Sequence, residues 1–289
     1  IVRSLDCLPL AIELAAARVA NLQLTDISSR LGKRFKLLRG RSRDPQQLAL
    51  QATLDWSWNL LSDWEKSTFF QSSVFHGGFD LAAAEKVIDL SSFTGRPAIL
   101  DTLGALCDDN LLHATRQEDG QLRYDILLSV REYASQRFPA DRDQVCARHA
   151  AYYAKRFHNR KMDQPVSFVA FLSKELDNFI AAISHGANVD AYHCCHAVME
   201  HLYRQGPMSL GVDVSTTFLS RPALERHHAY PVQNQRIVFL RRSGHPEQAR
   251  QELDDVIRES RAFCEAAQEG AEKRSEELLY AQFLLQKGS

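Results

Sequence analysis

Leu8, Ile12, Ala15, Ala16 and Val19 recur at intervals of three and four along LDCLPLAIELAAARV, residues 5–19. That period predicts a helix with one buried stripe. Pro9 opens it, at a position where a missing N–H leaves no bond unmade. A second short helix is expected near 25–31, with Thr25 and Asp26 as cap candidates. Lys33 to Asp44, KRFKLLRGRSRD, reads as a basic loop, either a solvated connector or a contact for phosphate or an acidic partner.

From Leu48 to about Phe138 the pattern becomes a compact series of short helices. Leu50, Leu54, Trp58 and Leu61 mark one. Ser62 caps the next, and Glu65 three positions later completes a capping-box spacing. That helix carries Trp64, Phe69, Phe70 and Val74, and Gly77-Gly78 is expected to close it. A third helix is predicted over 81–88 and a fourth from Pro97 through Leu103, Leu106 and Leu111. Two strand-like runs then flank Asp119-Gly120, a strong hairpin signal. Three helices followed by a hairpin outline a winged helix, with Trp56, Trp58 and Trp64 as core anchors.

Beyond Pro139 the period is helical again, over 141–158, 165–185, 190–204, about 232–243, 246–266 and 272–286. Gly206–Arg221 reads as poor helix-forming sequence. SGHPEQA (243–249) resembles the turn of a tetratricopeptide-type hairpin: Gly244 permits the tight turn, and the small Ala249 lets the second helix lie close to the first. Ala147, Ala151, Ala154, Leu176, Ile180 and Ile183 are expected to stack. The expected fold is therefore mainly α, with a small helical lobe (1–44), a winged-helix-like domain (45–140) and a tetratricopeptide-like helical array (141–289).

Composition narrows the function classes. The chain has 289 residues, 45% of them hydrophobic, enough for more than one core. A net charge of −1 provides no basic field to draw it to nucleic acid or a membrane surface. Glu13 and Arg18 interrupt the best apolar run well short of the ~18 residues of a membrane span. The six cysteines follow no disulfide or paired CxxC spacing, which fits a reducing cytosol. The opening, Ile1-Val2-Arg3, is that expected of a fragment rather than of a targeting leader.

Candidate chemistry is sparse. His193-Cys194-Cys195-His196 cannot all face one ion, because adjacent helical positions diverge by about 100°. His193, His196 and Glu200 share a face, but no second helix supplies further ligands, so no metal is expected. Ser129 beside Arg131 and Glu132 has no base placed to activate it. No catalytic residue is predicted.

Five segments occur in a telling order: LDCLPLAIELAAARV (5–19), TLDWSWNLLSDWEKSTFFQSSVFHGGFDLAAAEKV (53–87), YDILLSVREYASQRF (124–138), ARHAAYYAKRF (147–157) and KELDNFIAAI (174–183). Together they resemble the bacterial STAND-class, apoptotic-ATPase or NB-ARC-like regulators, many of which activate transcription. The resemblance implies that residues 1–44 are the helical lobe of a nucleotide-binding module. It also implies that Pro9 contacts an adenine base, with Leu8 and Leu10 shaping the apolar pocket around it. Cys7 stands where that family has Gly, Gln46 to Gln51 replaces a basic segment, and Leu128 replaces an acid.

No GxxxxGK[ST] loop and no strand ending in paired acids occurs in the chain. The chain is therefore not expected to be an enzyme or to hold a cofactor of its own; ATP or ADP would bind only in a longer parent. The winged helix is expected to dock on an upstream nucleotide-binding domain. Its recognition-position helix, about 97–112, carries Asp101, Asp108 and Asp109 and no Lys or Arg, so direct DNA binding is not expected. The helical array is expected to bind a protein or peptide, in the cytoplasm and away from membranes. Two readings stay open: a sensor segment of an ATP/ADP-gated regulator of transcription, and a nucleotide-independent helical-repeat scaffold or adaptor.

Overall fold

The computed structural model describes residues 1, 9–20, 22–29, 45–118, 120–137, 142–160 and 165–266. They are mainly helical with one small antiparallel sheet, and the chain divides into two compact units, Ile1–Tyr152 and Tyr153–Ser289.

The first unit opens with α1 (Pro9–Ala16), a 3-10 turn over Ala17–Ala20 and a short helix over 24–29. Helix α2 (Pro45–Leu60) lies against α1. Ala11, Ala15, Ile27 and Trp56 form one buried cluster, so α1 is covered by a tryptophan 41 to 45 positions away. Its buried face is Ala11, Leu14 and Ala15, whereas Ala16 and Val19 of the expected stripe are exposed, the helix giving way to a 3-10 turn after Ala16. Helix α3 (Asp63–Ser72) starts with the expected box. The Ser62 backbone N–H donates to Glu65 Oε2 at 2.7 Å, and Glu65 N–H donates back to Ser62 Oγ at 3.4 Å.

Helix α3 ends at Ser72, capped by Ser73, so the two glycines do not close it. Gly77 and Gly78 (φ 71° and 81°) instead turn the chain into a strand that has no sequence signal, β1 (Phe79–Asp80). Asp80 then caps α4 (Leu81–Val87), accepting from Ala83 N–H at 2.8 Å. Helix α5 (Ile99–Asp108) precedes β2 (His113–Arg116) and β3 (Leu122–Asp125). The hairpin register pairs His113 with Asp125 and Arg116 with Leu122, and β1 pairs on the other side of β3 through Phe79–Tyr124. The sheet order β1-β3-β2, and the succession helix, strand, helix, helix, strand, strand, are those of a winged helix.

Gly78 is required where it stands. A Cβ there would lie 2.8 Å from the Tyr124 carbonyl oxygen and 2.9 Å from Arg123 Nε, on a backbone at positive φ. Arg123 is the reason for the crowding: it donates to the Gly77 carbonyl at 2.7 Å and to the Gly78 carbonyl at 3.0 Å. The unit closes with α6 (Leu128–Ser135) and the first half of α7 (Arg142–Arg160). Arg148 of α7 donates to the Val87 carbonyl at 2.8 Å and to Gln71 Oε1 at 2.9 Å, and His149 meets the Phe75 ring edge-on.

The second unit holds the rest of α7, then α8 (Pro165–Ile183), α9 (Asn188–Gln205), α10 (Met208–Leu219), α11 (Arg226–Arg242) and α12 (Pro246–Ala266). Tyr153, Phe157 and Phe179 anchor α7 on α8. Ala147 and Ala151 are exposed, unlike Ala154; the buried face of α7 runs instead through Cys146, Ala150, Tyr153 and Phe157. Helix α10 contradicts the expectation of poor helix over 206–221. Gly211, Val214 and Phe218 form its buried face, and Gly211 lets α11 approach so closely that a Cβ would sit 2.7 Å from the Phe239 ring. Burial on both neighbours outweighs the weak local propensity.

The α11–α12 hairpin forms as its turn predicts. Gly244 has φ 90°, and Ala249 is fully buried among Ile237, Leu240 and Leu253. The predicted helix over 272–286 lies outside the described residues. Among the described residues no helix is long and apolar enough to cross a membrane.

Candidate functional site

In the first unit, the helical lobe meets the winged helix at the end of α5. Arg18, in the 3-10 turn after α1, donates to Asp109 Oδ1 just past the last turn of α5. Next to it, Asn110 Nδ2 donates to the Glu13 carbonyl of α1 at 3.0 Å, and Asn110 sits at φ 56°, which an Asn tolerates better than most residues. Arg18 is only 6% exposed, and its Nε and Nη2 are buried with no hydrogen-bond partner among the described residues. Burial pushes the Asp109 carboxyl up from its ordinary value, and the Arg18 charge pulls the other way.

The residues expected to touch a base are placed unevenly. Pro9 begins α1 and is exposed, and Leu10 is half-buried. Leu8 lies outside the described residues, as do Cys7 and the basic loop of 33–44. Leu128, at the start of α6, is 67% exposed.

The exposed side of α5 carries Leu100, Asp101, Gly104 and Asp108. That face carries two acids and no basic side chain. The wing loses a cation as well, because Arg123 is buried against Gly77 and Gly78 and only Arg116 of the pair is exposed. Other motif residues are structural. Tyr133 donates to Asp55 Oδ1 at 2.8 Å, and Arg137 pairs with the same carboxylate while stacking 3.8 Å over the Tyr133 ring.

In the second unit, α10, α11 and α12 surround a cleft of about 380 Å³. Arg236 of α11 is its central side chain. It binds the Glu252 carboxylate of α12 through both Nε (2.9 Å) and Nη2 (3.1 Å) and donates to the Val212 carbonyl of α10 at 2.8 Å. With its donors engaged across three helices, Arg236 is a strut. Leu219, Ile237 and Val256 make the cleft apolar, and Asp255 and Glu259 make its rim acidic.

On α9, Cys194 and Cys195 are both fully buried, and burial pushes both thiols up, which suits inert core positions. His193 and His196 are half-buried on the opposite side, with His196 Nδ1 3.9 Å from Glu200 Oε2. A cluster that sequence reasoning missed lies at the start of α11, where Glu225, His227 and His228 converge. Glu225 is the N-cap of α11 and the two histidines lie in its first turn.

A Mycobacterium tuberculosis protein named "Putative HTH-type transcriptional regulator Rv0890c" is 37% identical over 193 residues, covering 64% of this chain and 21% of that protein. The Mycobacterium bovis "Putative HTH-type transcriptional regulator Mb0914c" matches to the same extent. An uncharacterized Mycobacterium tuberculosis protein is 38% identical over 157 residues, covering 52% of this chain and 39% of its own. The chain thus spans about a fifth to two fifths of the length of these relatives. No family model and no solved structure matches it.

Proposed function

We propose that the chain is the regulatory and sensor segment of an ATP/ADP-gated signal-transduction ATPase of the STAND class, working in the bacterial cytoplasm as part of a transcription regulator. The observation that carries this reading is the docking of the helical lobe on the end of α5 through Arg18–Asp109 and Asn110–Glu13. A winged helix that spends the end of its recognition-position helix on a neighbouring lobe, and exposes acids along the rest, is built to dock on protein. The mycobacterial relatives named as HTH-type regulators support a regulatory role. DNA reading would then belong to another part of a longer parent.

Within such a parent, the exposed Pro9 and the neighbouring Leu10, with Leu8, would press on an adenine base whose phosphates are held elsewhere. A proline ring suits this, being apolar and without a donor. The sequence contains no Walker A motif, so in this reading the chain would not hydrolyse ATP by itself. A protein or peptide held by the helical array would favour the undocked winged helix by binding that state more tightly.

The test is calorimetric titration of residues 1–289 with ATP and with ADP, alongside phosphate release and duplex-DNA binding at low salt. Weak nucleotide binding, no phosphate release and no DNA affinity are expected. Submicromolar nucleotide affinity, turnover, or salt-sensitive DNA binding would overturn the reading. The cleft among α10, α11 and α12 favours a second reading, a nucleotide-independent scaffold that binds a partner there. A Walker A motif in the sequence preceding Ile1 in the gene would favour the switch; a complete gene without one would favour the scaffold.

A further inference from the structure

We propose that Glu225, His227 and His228 form a binding site for a divalent transition-metal ion at the start of α11. One ligand atom from each residue lies within 4.8 Å of the others. Two imidazoles and a carboxylate are the donor set that suits Zn²⁺ and its first-row neighbours. Bonds of about 2.0–2.1 Å in a tetrahedral site place donors roughly 3.3 Å apart, so the three ligand atoms, now within 4.8 Å of one another, would draw together on binding.

The local fold explains the convergence. Glu225 is the N-cap of α11, with an extended backbone (φ −74°, ψ 141°) that brings its carboxylate over the first turn. There its Oε2 lies 3.2 Å from His227 Nε2. The His227 and His228 rings have centroids only 4.0 Å apart, although neighbouring helical positions ordinarily diverge by about 100°. The Glu225 charge also offsets the positive end of the helix dipole, which otherwise disfavours a cation here.

A second observation points the same way. His228 Nδ1 is buried and has no hydrogen-bond partner among the described residues. The ring is steadied by Tyr192, 4.7 Å away. The loop before the cluster is held firmly as well. Arg221 donates to the carbonyls of Ile183 (2.7 Å) and Gly186 (2.6 Å), while Asn188 donates to the Ala223 carbonyl (3.0 Å). Ligands carried by a braced loop and a helix start need little reordering to bind.

The experiment is titration of metal-free residues 1–289 with CoCl₂, read by equilibrium dialysis and by d–d absorption, with ZnCl₂ added in parallel melts. One ion per chain is expected, with an N/O-type spectrum and a Zn²⁺-dependent rise in melting temperature. His227→Ala/His228→Ala should weaken binding at least tenfold and abolish that rise, Glu225→Gln should weaken it several-fold, and His158→Gln should leave it unchanged. Should the double variant lose its helical circular dichroism, Glu225→Gln and His228→Asn decide instead. Absence of saturable binding, thiolate charge-transfer bands, or equal binding by the variants would overturn the proposal.

Discussion

Arg18 and Asp109, 91 positions apart, form a largely buried ion pair that joins the helical lobe to the winged helix. Neither residue sits in a periodic apolar pattern, and each charge would be costly in the interior without the other. Two of the Arg18 guanidinium nitrogens have no hydrogen-bond partner among the described residues.

A double-mutant cycle follows from that balance. Asp109→Leu should destabilise the first unit by about 3–5 kcal/mol, since it strands the Arg18 charge. Arg18→Met with Asp109→Leu should return to within about 1 kcal/mol of the native protein or exceed it. Chemical denaturation of the four proteins measures this; additive losses would show that the two residues are not coupled.

Phe69 is fully buried on α3, with its ring 6.1 Å from Trp58. Phe69→Ala should cost about 3–5 kcal/mol. Lys66 is a poor surface control, because it pairs with Asp63 and lies 5.8 Å over the Trp58 ring. The exposed Lys86 serves better, and Lys86→Ala should stay within about 0.5 kcal/mol. Indistinguishable melting curves for Phe69→Ala and Lys86→Ala would contradict the core described here.

Gly211→Ala reverses an ordinary rule. In an exposed helix interior the change gains up to ~1 kcal/mol. Here the new methyl meets the Phe239 ring at 2.7 Å, so a loss of about 1–3 kcal/mol is expected. Adding Phe239→Leu should recover part of the loss introduced by Gly211→Ala. Urea midpoints would reveal it, and a stabilised single variant would mean that α10 and α11 are not so close.

Acid should loosen the second unit through His201 and His228. Burial holds both imidazoles below their ordinary value of 6.5. The unfolded chain then binds these protons more readily than the folded one. The stability they provide is present above pH 6.5 and is lost as pH falls through the folded values. Within the same unit the raised Asp190 carboxyl acts in the opposite sense, its share being present at low pH and lost as pH rises. Melting temperatures between pH 7.5 and 5.5 should therefore fall less steeply for His201→Leu than for the native protein. Parallel slopes would exclude His201 as a contributor.

Much of the fold was legible locally. The Ser62–Glu65 box and the Gly244 turn act over one or two turns, and the structure has both. The stripe expected along α1 is present only in part, since Ala15 is buried and Ile12 half-buried while Ala16 and Val19 are exposed and Ala11 and Leu14 face the core instead. Strand β1 was not legible, because two residues carry no period and become a strand only by pairing with Tyr124 and Arg123. Helix α10 was hidden by its own poor propensity and exists through burial of Val214 and Phe218.

The candidate sites divide in the same way. The sequence by itself determined the absence of a P-loop motif and the acidic character of the α5 face, since both depend only on which residues are present. It also determined the apolar stripes that make the chain mainly helical. Only the tertiary structure decided that Arg123 braces a glycine turn, that Arg18 meets Asp109, and that two neighbouring histidines face the same way. Those outcomes depend on distances between segments remote in sequence, or on how a loop is held by them. No local propensity encodes such distances; the packing of whole elements sets them.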